Sequence, residues 1–311
     1  MAELTNEFTW SVSRDDCFRT CPRRYFYHYY ASWGGWDATA PERTRRLYVL
    51  KQLKTGAMWV GERVHTCIQR TLENLRRGIT VLSPDKIVEV TLSQMREDFR
   101  SSRAGNYWKN PKSCALFAHE YGIPVSDDHW REAARRVETC LRNFYASDLF
   151  AHLRSLPRDA WLEVERLATF TLDGIKVWVR LDCALREEGV VRIFDWKTGK
   201  SLSEENTTQL ACYSLYAQER WGVAPEDLRT AEYYLLADRI QDYRVTAGDI
   251  EDVRAYIRGS VADMASLLVD LKTNTPMAEG AFAKTENLAA CRRCNFVGEC
   301  RQDVAAALAG R

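Results

Sequence analysis

A chain of 311 residues, 46% apolar and 28% charged, is long enough for one large domain or two ordinary ones and too apolar for disorder to be its main state. Forty-four basic residues stand against forty-three acidic ones, so the net charge of +1 gives no general attraction to polyanions, and any basic surface must be local. No run of about 18 apolar residues would cross a membrane.

The opening, MAELTNEFTWSVSRDD, has acidic residues and no apolar core, unlike a secretory signal. With ten cysteines, that points to a reducing, cytoplasmic setting where clustered cysteines are metal ligands or thiols more often than disulfides. In chain order, residues 13–31 read as a helix opened by Ser13 with Asp16 three residues on. This helix carries Phe18, Tyr25, Phe26, Tyr29 and Tyr30. Arg14, Arg19, Arg23 and Arg24 form one basic cluster, and Arg43, Arg45, Arg46, Lys51 and Lys54 a second; each reads either as a solvated helix face or as a nucleic-acid contact. Helical periodicity runs from 46 to 77, with Leu47, Leu50, Leu53, Val60, Val64, Ile68 and Leu72 on one face. Two more helices fit 84–102 and 127–153, with an irregular stretch between them.

The pattern then changes to strands at 161–171, 175–186 and 190–197, joined by turns at Asp173-Gly174 and Glu188-Gly189. A helix at 204–221, strands at 229–236 and 241–246 and a helix at 249–272 follow. The end is a loop, a cysteine cluster and a short helix. The expected fold is α/β: a small mixed sheet flanked by helices, with a helical N-terminal elaboration. It reads as one intertwined domain, in which 1–155 are mainly helical, 156–273 carry the sheet and 274–311 carry the cysteines.

The second hairpin carries the chemistry. Asp182 lies among Val177, Val179, Leu181 and Ala184, where an unpaired carboxylate is costly. Asp195 and Lys197 are two apart on the next strand and share a face, and the turn brings Asp182 beside them. Two carboxylates and a lysine at paired strand ends suit a hard divalent cation, with the lysine placed to orient water and stabilise developing charge. The bland alternative for Asp195-x-Lys197 is a surface ion pair.

Asp195-Trp196-Lys197-Thr198-Gly199 resembles the D-x-K-T-G core of the RecB-like PD-(D/E)XK nucleases. Four further segments fall in that family's order. Gly61-Glu62-Arg63-Val64-His65 is similar to the helix bearing its metal-binding histidine, and Gln209 with Tyr213 to its Q-x-x-x-Y motif. Cys21-Pro22-Arg23-Arg24-Tyr25-Phe26-Tyr27 resembles its opening. Cys291, Cys294 and Cys300 form a C-x2-C-x5-C run, to which the resemblance adds Cys21 as a fourth ligand. It implies a restriction-endonuclease-like core that hydrolyses phosphodiester bonds of DNA, single-stranded or with free ends. His65, Asp182, Asp195 and Trp196 would hold magnesium or manganese; Lys197, Gln209 and Tyr213 would complete the catalytic set, with Glu165 as accessory. The cysteines would hold a [4Fe–4S] cluster, as in CRISPR-associated and AddB-type members, with zinc as the alternative.

Arg180 departs from the family's habit, standing two residues before the first aspartate where a glycine is frequent. Gly199-Lys200-Ser201 looks like the end of a phosphate loop, but Phe194 stands where that loop needs glycine, so no ATPase is expected. The opening helix, with Trp33 and Trp36, offers aromatics for stacking on a single strand. A non-catalytic nucleic-acid-binding scaffold, or a subunit of a helicase–nuclease or defence complex, is the rival reading; the intact ligand set speaks against it. A redox role lacks any partner cofactor motif. Cys17, Cys67, Cys114, Cys140, Cys183 and Cys212 read as core thiols.

Overall fold

The computed structural model describes residues 4–199 and 207–310. The chain divides into two compact units: Met1–Gly56 with Arg96–Asp127 and Ile257–Arg311, and Ala57–Met95 with Asp128–Tyr256. In order, the elements are β1 (Thr9–Trp10), α1 (Val12–Thr20), α2 (Pro22–Phe26), α3 (Glu42–Leu50), α4 (Gly56–Arg76), α5 (Pro84–Arg103), α6 (Phe117–Glu120), α7 (Asp127–Ala146) and α8 (Asp148–Ser155). Then come β2 (Trp161–Leu172), β3 (Ile175–Glu187), β4 (Val190–Lys197), α9 (Thr207–Trp221), β5 (Leu228–Tyr234), β6 (Arg239–Tyr243), α10 (Ala247–Ala265), β7 (Leu268–Asp270), β8 (Thr275–Pro276), α11 (Leu288–Cys291), α12 (Val297–Cys300) and α13 (Gln302–Leu308).

The second unit is the mixed sheet flanked by helices that the sequence leads one to expect. β2 with β3, β3 with β4, and β5 with β6 pair antiparallel; β4 and β5 pair parallel across the α9 crossover. Both hairpin turns have a left-handed residue followed by a left-handed glycine, Asp173-Gly174 and Glu188-Gly189. That backbone matches the strand twist of a two-residue hairpin, and Gly adopts it without penalty. Along β4, Phe194 and Trp196 stack on one face, where Trp196 meets Phe144 of α7. Asp195 turns to the other face, toward Gln209 of α9. Strand alternation thus puts α7 and α9 on opposite sides of the sheet.

In the first unit, Tyr27, Leu47, Leu50, Leu53, Phe117, Phe296 and Val297 share one apolar core, against which Cys291, Cys294 and Cys300 pack. The expected helix at 13–31 is broken. Pro22 disfavours helical backbone at the residue before it, and Cys21 is extended, with φ −168° and ψ 112°. A π turn at Tyr27–Ala31 ends the segment. The N-cap is Ser11, not Ser13: its side chain accepts from the Arg14 amide.

The helix at 46–77 is likewise two, α3 and α4, and 127–153 splits at Ser147, which caps α8 by accepting from the Phe150 amide. The last long helix ends at Ala265, giving way to β7 rather than running to 272. The start expected for α9 at 204, and Lys200 and Ser201 of the false phosphate loop, lie outside the described residues. No helix among the described residues is long and apolar enough to cross a membrane.

The opening segment's aromatics are core rather than a stacking platform: Phe18, Tyr25, Tyr27 and Tyr30 are buried. Two of its arginines are engaged as well. Arg14 is buried against Thr9 and Tyr25, and Arg23 pairs with Glu279. Trp33 and Trp36 are exposed, edge to face with each other.

Candidate active site

The β3–β4 ladder ends with Cys183 opposite Phe194. Asp182 and Asp195 are the next residues out, where the two strands part. The freed Trp196 amide donates to Asp182 Oδ2 at 2.6 Å, a bond that fixes that carboxylate at the fork. α4 passes close by, since a Cβ on Gly61 would come within 3.4 Å of Thr198 Oγ1. One turn later in α4, His65 Nε2 lies 3.0 Å from the Trp196 carbonyl oxygen. Its Nδ1 faces two carboxylates, Glu165 Oε1 at 3.0 Å and Asp182 Oδ1 at 3.2 Å.

Among the described residues, His65, Glu165 and Asp182 are the group of metal-ligand side chains whose donor atoms all fall within 4.8 Å of one another. Glu165 gets there at a backbone cost. Its φ is +48°, left-handed in the middle of β2, at the point where the β2–β3 register passes from Val164 opposite Cys183 to Arg166 opposite Leu181. Such a conformation in a non-glycine residue costs on the order of 1–3 kcal/mol and clusters at functional sites.

A second set adjoins the first. Lys197 Nζ lies 2.6 Å from Asp195 Oδ2 and donates to Gln209 Oε1 at 3.1 Å. The Gln209 amide donates to Asp195 Oδ1 at 3.1 Å. Tyr213, one turn on, donates to the Arg180 carbonyl at 2.8 Å. Arg180 thus touches the site through its backbone, and its side chain is exposed.

Burial sets the electrostatics. It pushes the Asp182 carboxyl up to about 7, against the pull of His65 and with the help of Asp195. Burial also raises Asp195, although Lys197 opposes it. For His65, burial disfavours the charged ring, yet Asp182 and Glu165 outweigh it and hold the imidazole well above its ordinary value. Lys197 behaves alike: desolvation works against its charge, and Asp195, with Glu232 and Asp182 behind it, keeps it an ammonium. Burial keeps Tyr213 a neutral phenol.

Glu232 escaped the sequence reading. It stands opposite Asp195 in the parallel β4–β5 register, is fully buried, and lies 3.4 Å from Lys197 Nζ. Tyr234 and Tyr243 donate to its other oxygen. Its strand, LRTAEYY, offers no motif and no unbroken apolar run to single the acid out.

The four expected cluster cysteines line one cleft in the first unit, with Arg24 and Lys284 beside them. Cys21 sits at the α1–α2 break; Cys291 and Cys300 close α11 and α12. Burial pushes Cys294 up to about 12, with Cys21 and Cys300 adding to the shift. Cys17, Cys114, Cys140, Cys183 and Cys212 are buried thiols, and Cys67 is half-buried.

The sequence profile of the PD-(D/E)XK nuclease superfamily matches residues 9–301. No curated protein matches the chain.

Proposed function

Since the chain belongs to the PD-(D/E)XK nuclease superfamily, whose chemistry is metal-dependent phosphodiester hydrolysis, we propose that it is a magnesium- or manganese-dependent deoxyribonuclease of the RecB-like kind. Its substrate would be single-stranded or free-ended DNA. The observation that carries this is the convergence of His65, Glu165 and Asp182 beside the Asp195–Lys197 pair.

The donor set fits a divalent cation. Carboxylate oxygens and the Trp196 carbonyl suit magnesium, and the imidazole widens the fit to manganese. His65 Nδ1 lies within 3.2 Å of both Glu165 Oε1 and Asp182 Oδ1, so the three donors could turn toward one cation. When bound, the metal would supply Lewis acidity to the phosphoryl group and acidify a water. Lys197, held between Asp195 and Gln209, would orient the attacking water and stabilise charge growing on the phosphoryl oxygens. Gln209 fixes both Lys197 and Asp195, and Tyr213 anchors Gln209 to the backbone of β3. Glu232 completes the pairing of Lys197 from below.

We assign the cysteine cleft to a [4Fe–4S] cluster, with zinc as the alternative occupant. One early and three late thiols joined across the chain would constrain the unfolded state by closing a very long loop. Iron and sulfide content with a visible absorbance band supports the cluster; stoichiometric zinc without iron supports the alternative. Loss of Cys21, Cys291, Cys294 and Cys300 together should abolish either.

The test of the nuclease reading is incubation with end-labelled linear and circular single-stranded DNA, with magnesium or manganese. Cleavage of the linear substrate by the wild type, lost in Lys197→Ala, supports it. Equal cleavage by both proteins, or none of DNA or RNA by the wild type, overturns it. Intact DNA binding with no cleavage would move the chain to a scaffold role in a helicase–nuclease or defence assembly.

A further inference from the structure

α4 carries more than His65. Gln69, Glu73 and Arg76 follow His65 at spacings of four, four and three, so they continue the same helical face away from the metal group. That face forms one wall of an open groove whose other wall comes from the segment before β2 and from β2 itself: Arg158, Val164, Glu165 and Arg166. Arg77 joins Arg76 at the end of the helix. Four arginines therefore line a groove whose rim includes Glu165, one of the three convergent metal-ligand residues.

The lining is selective in kind. Arg76, Arg77, Arg158 and Arg166 are all exposed, and among the described residues none of them makes an ion pair. Arg23 and Arg43 of the first unit, by contrast, are paired with Glu279. Glu73 is the groove's other acid, and its Oε1 already accepts from Gln69 at 3.0 Å. A helix macrodipole accounts for Arg76 in the last turn of α4 but not for Arg158 and Arg166 on the facing wall. No aromatic side chain lines the groove, so it offers forked cations to phosphates and nothing on which to stack bases.

We propose that this groove holds the phosphodiester backbone of the substrate strand, without regard to base sequence, on the Glu165 side of the metal group. The proposal rests on the nuclease reading for what the strand is. From His65 to Arg76 is 11 residues of helix, about 16 Å. Arg76 and Arg77 would thus grip roughly five nucleotides from the cleaved bond at B-form spacing, and fewer on a stretched single strand.

The test is binding without chemistry. A fluorescent 20-mer of single-stranded DNA is titrated with the full chain in the presence of a chelator, over a range of salt concentrations. Changing Arg76, Arg77, Arg158 and Arg166 together to Gln should lower the slope of log affinity against log salt by roughly 0.7 for each phosphate no longer neutralised. It should also weaken binding at least tenfold at low salt. The fourfold Arg→Lys variant, which keeps the charge, should retain most of the slope, and Arg142→Gln on α7 should leave it unchanged.

A fourfold Gln variant that unfolds at the wild-type temperature and binds with the wild-type slope overturns the proposal. So does a wild-type slope near zero. The nuclease reading fails separately: if Asp195→Ala cleaves as well as the wild type while the arginine dependence holds, the groove stands and the assigned catalytic centre falls.

Discussion

Two clusters in this protein set carboxylates against cations to opposite ends. In the first unit, Glu279 accepts from Tyr27, Arg23 and Arg43, and Arg43 also reaches Glu299. The Arg43 guanidinium is the main cause that lowers the Glu279 carboxyl, which is content as an anion at a half-exposed position. In the second unit, Asp182, Asp195, Glu165 and Glu232 stand against His65 and Lys197 in a buried space, and Asp182 is pushed up toward neutrality. The first cluster is satisfied by its own cations. The second has more acid than base, and a cation from solution is what would balance it. The difference separates an ion network balanced by its own cations from one whose acids outnumber its cations.

The comparison breaks most visibly under substitution. Asp182→Ala and Asp195→Ala should each lower the cleavage rate on the order of 10³-fold or more, read by single-turnover kinetics. Glu279→Gln, in the other cluster, should change it little. Metal sharpens the contrast next. Manganese at a hundredfold excess over its Kd should stabilise the protein by about 2.7 kcal/mol, seen as a rise in Tm that a chelator reverses. His65→Ala should lose most of that rise.

The titrations run in opposite directions. The Asp182 carboxyl is raised above its unfolded value, so the folded protein holds a proton that the unfolded chain releases. That contribution to stability is present below about pH 4 and is lost as pH rises through about 7. Glu279 is lowered, so its contribution is present above the unfolded value and is lost as pH falls through the folded one. Thermal unfolding of metal-free Asp182→Asn against the wild type from pH 4 to 8 should show the wild type's advantage shrinking as pH rises. Glu279→Gln should show the reverse at the acid end. The smallest effect belongs to the exposed pair itself: Arg43→Ala should cost no more than about 1 kcal/mol by denaturant unfolding.

The sequence carried the site further than it carried the elements. The hairpins were legible because Asp173-Gly174 and Glu188-Gly189 specify their own turn geometry. The pairing of Asp195 with Lys197 followed from strand alternation. Helix ends were less legible, since periodicity runs across a break when the residues on both sides remain apolar, as at 50–56 and at Ser147. Glu232 was hidden because it belongs to no motif and joins Asp195 through a parallel pairing set by the α9 crossover. The Glu165 conformation was beyond reach, because a left-handed residue in mid-strand is held by its surroundings and leaves no mark in composition. The arginine groove joins residues about 80–90 positions apart, a proximity that only the fold creates.

The central claim is that the buried acid-rich cluster is a metal-dependent phosphodiesterase centre. Its most direct measurement is the single-turnover cleavage rate of a linear single-stranded oligonucleotide, with manganese and with chelator, for wild type and Asp195→Asn. The account predicts wild-type cleavage only with metal, and a rate at least about three orders of magnitude lower in the variant. Cleavage that survives the chelator, or that proceeds in Asp195→Asn at the wild-type rate, would contradict it.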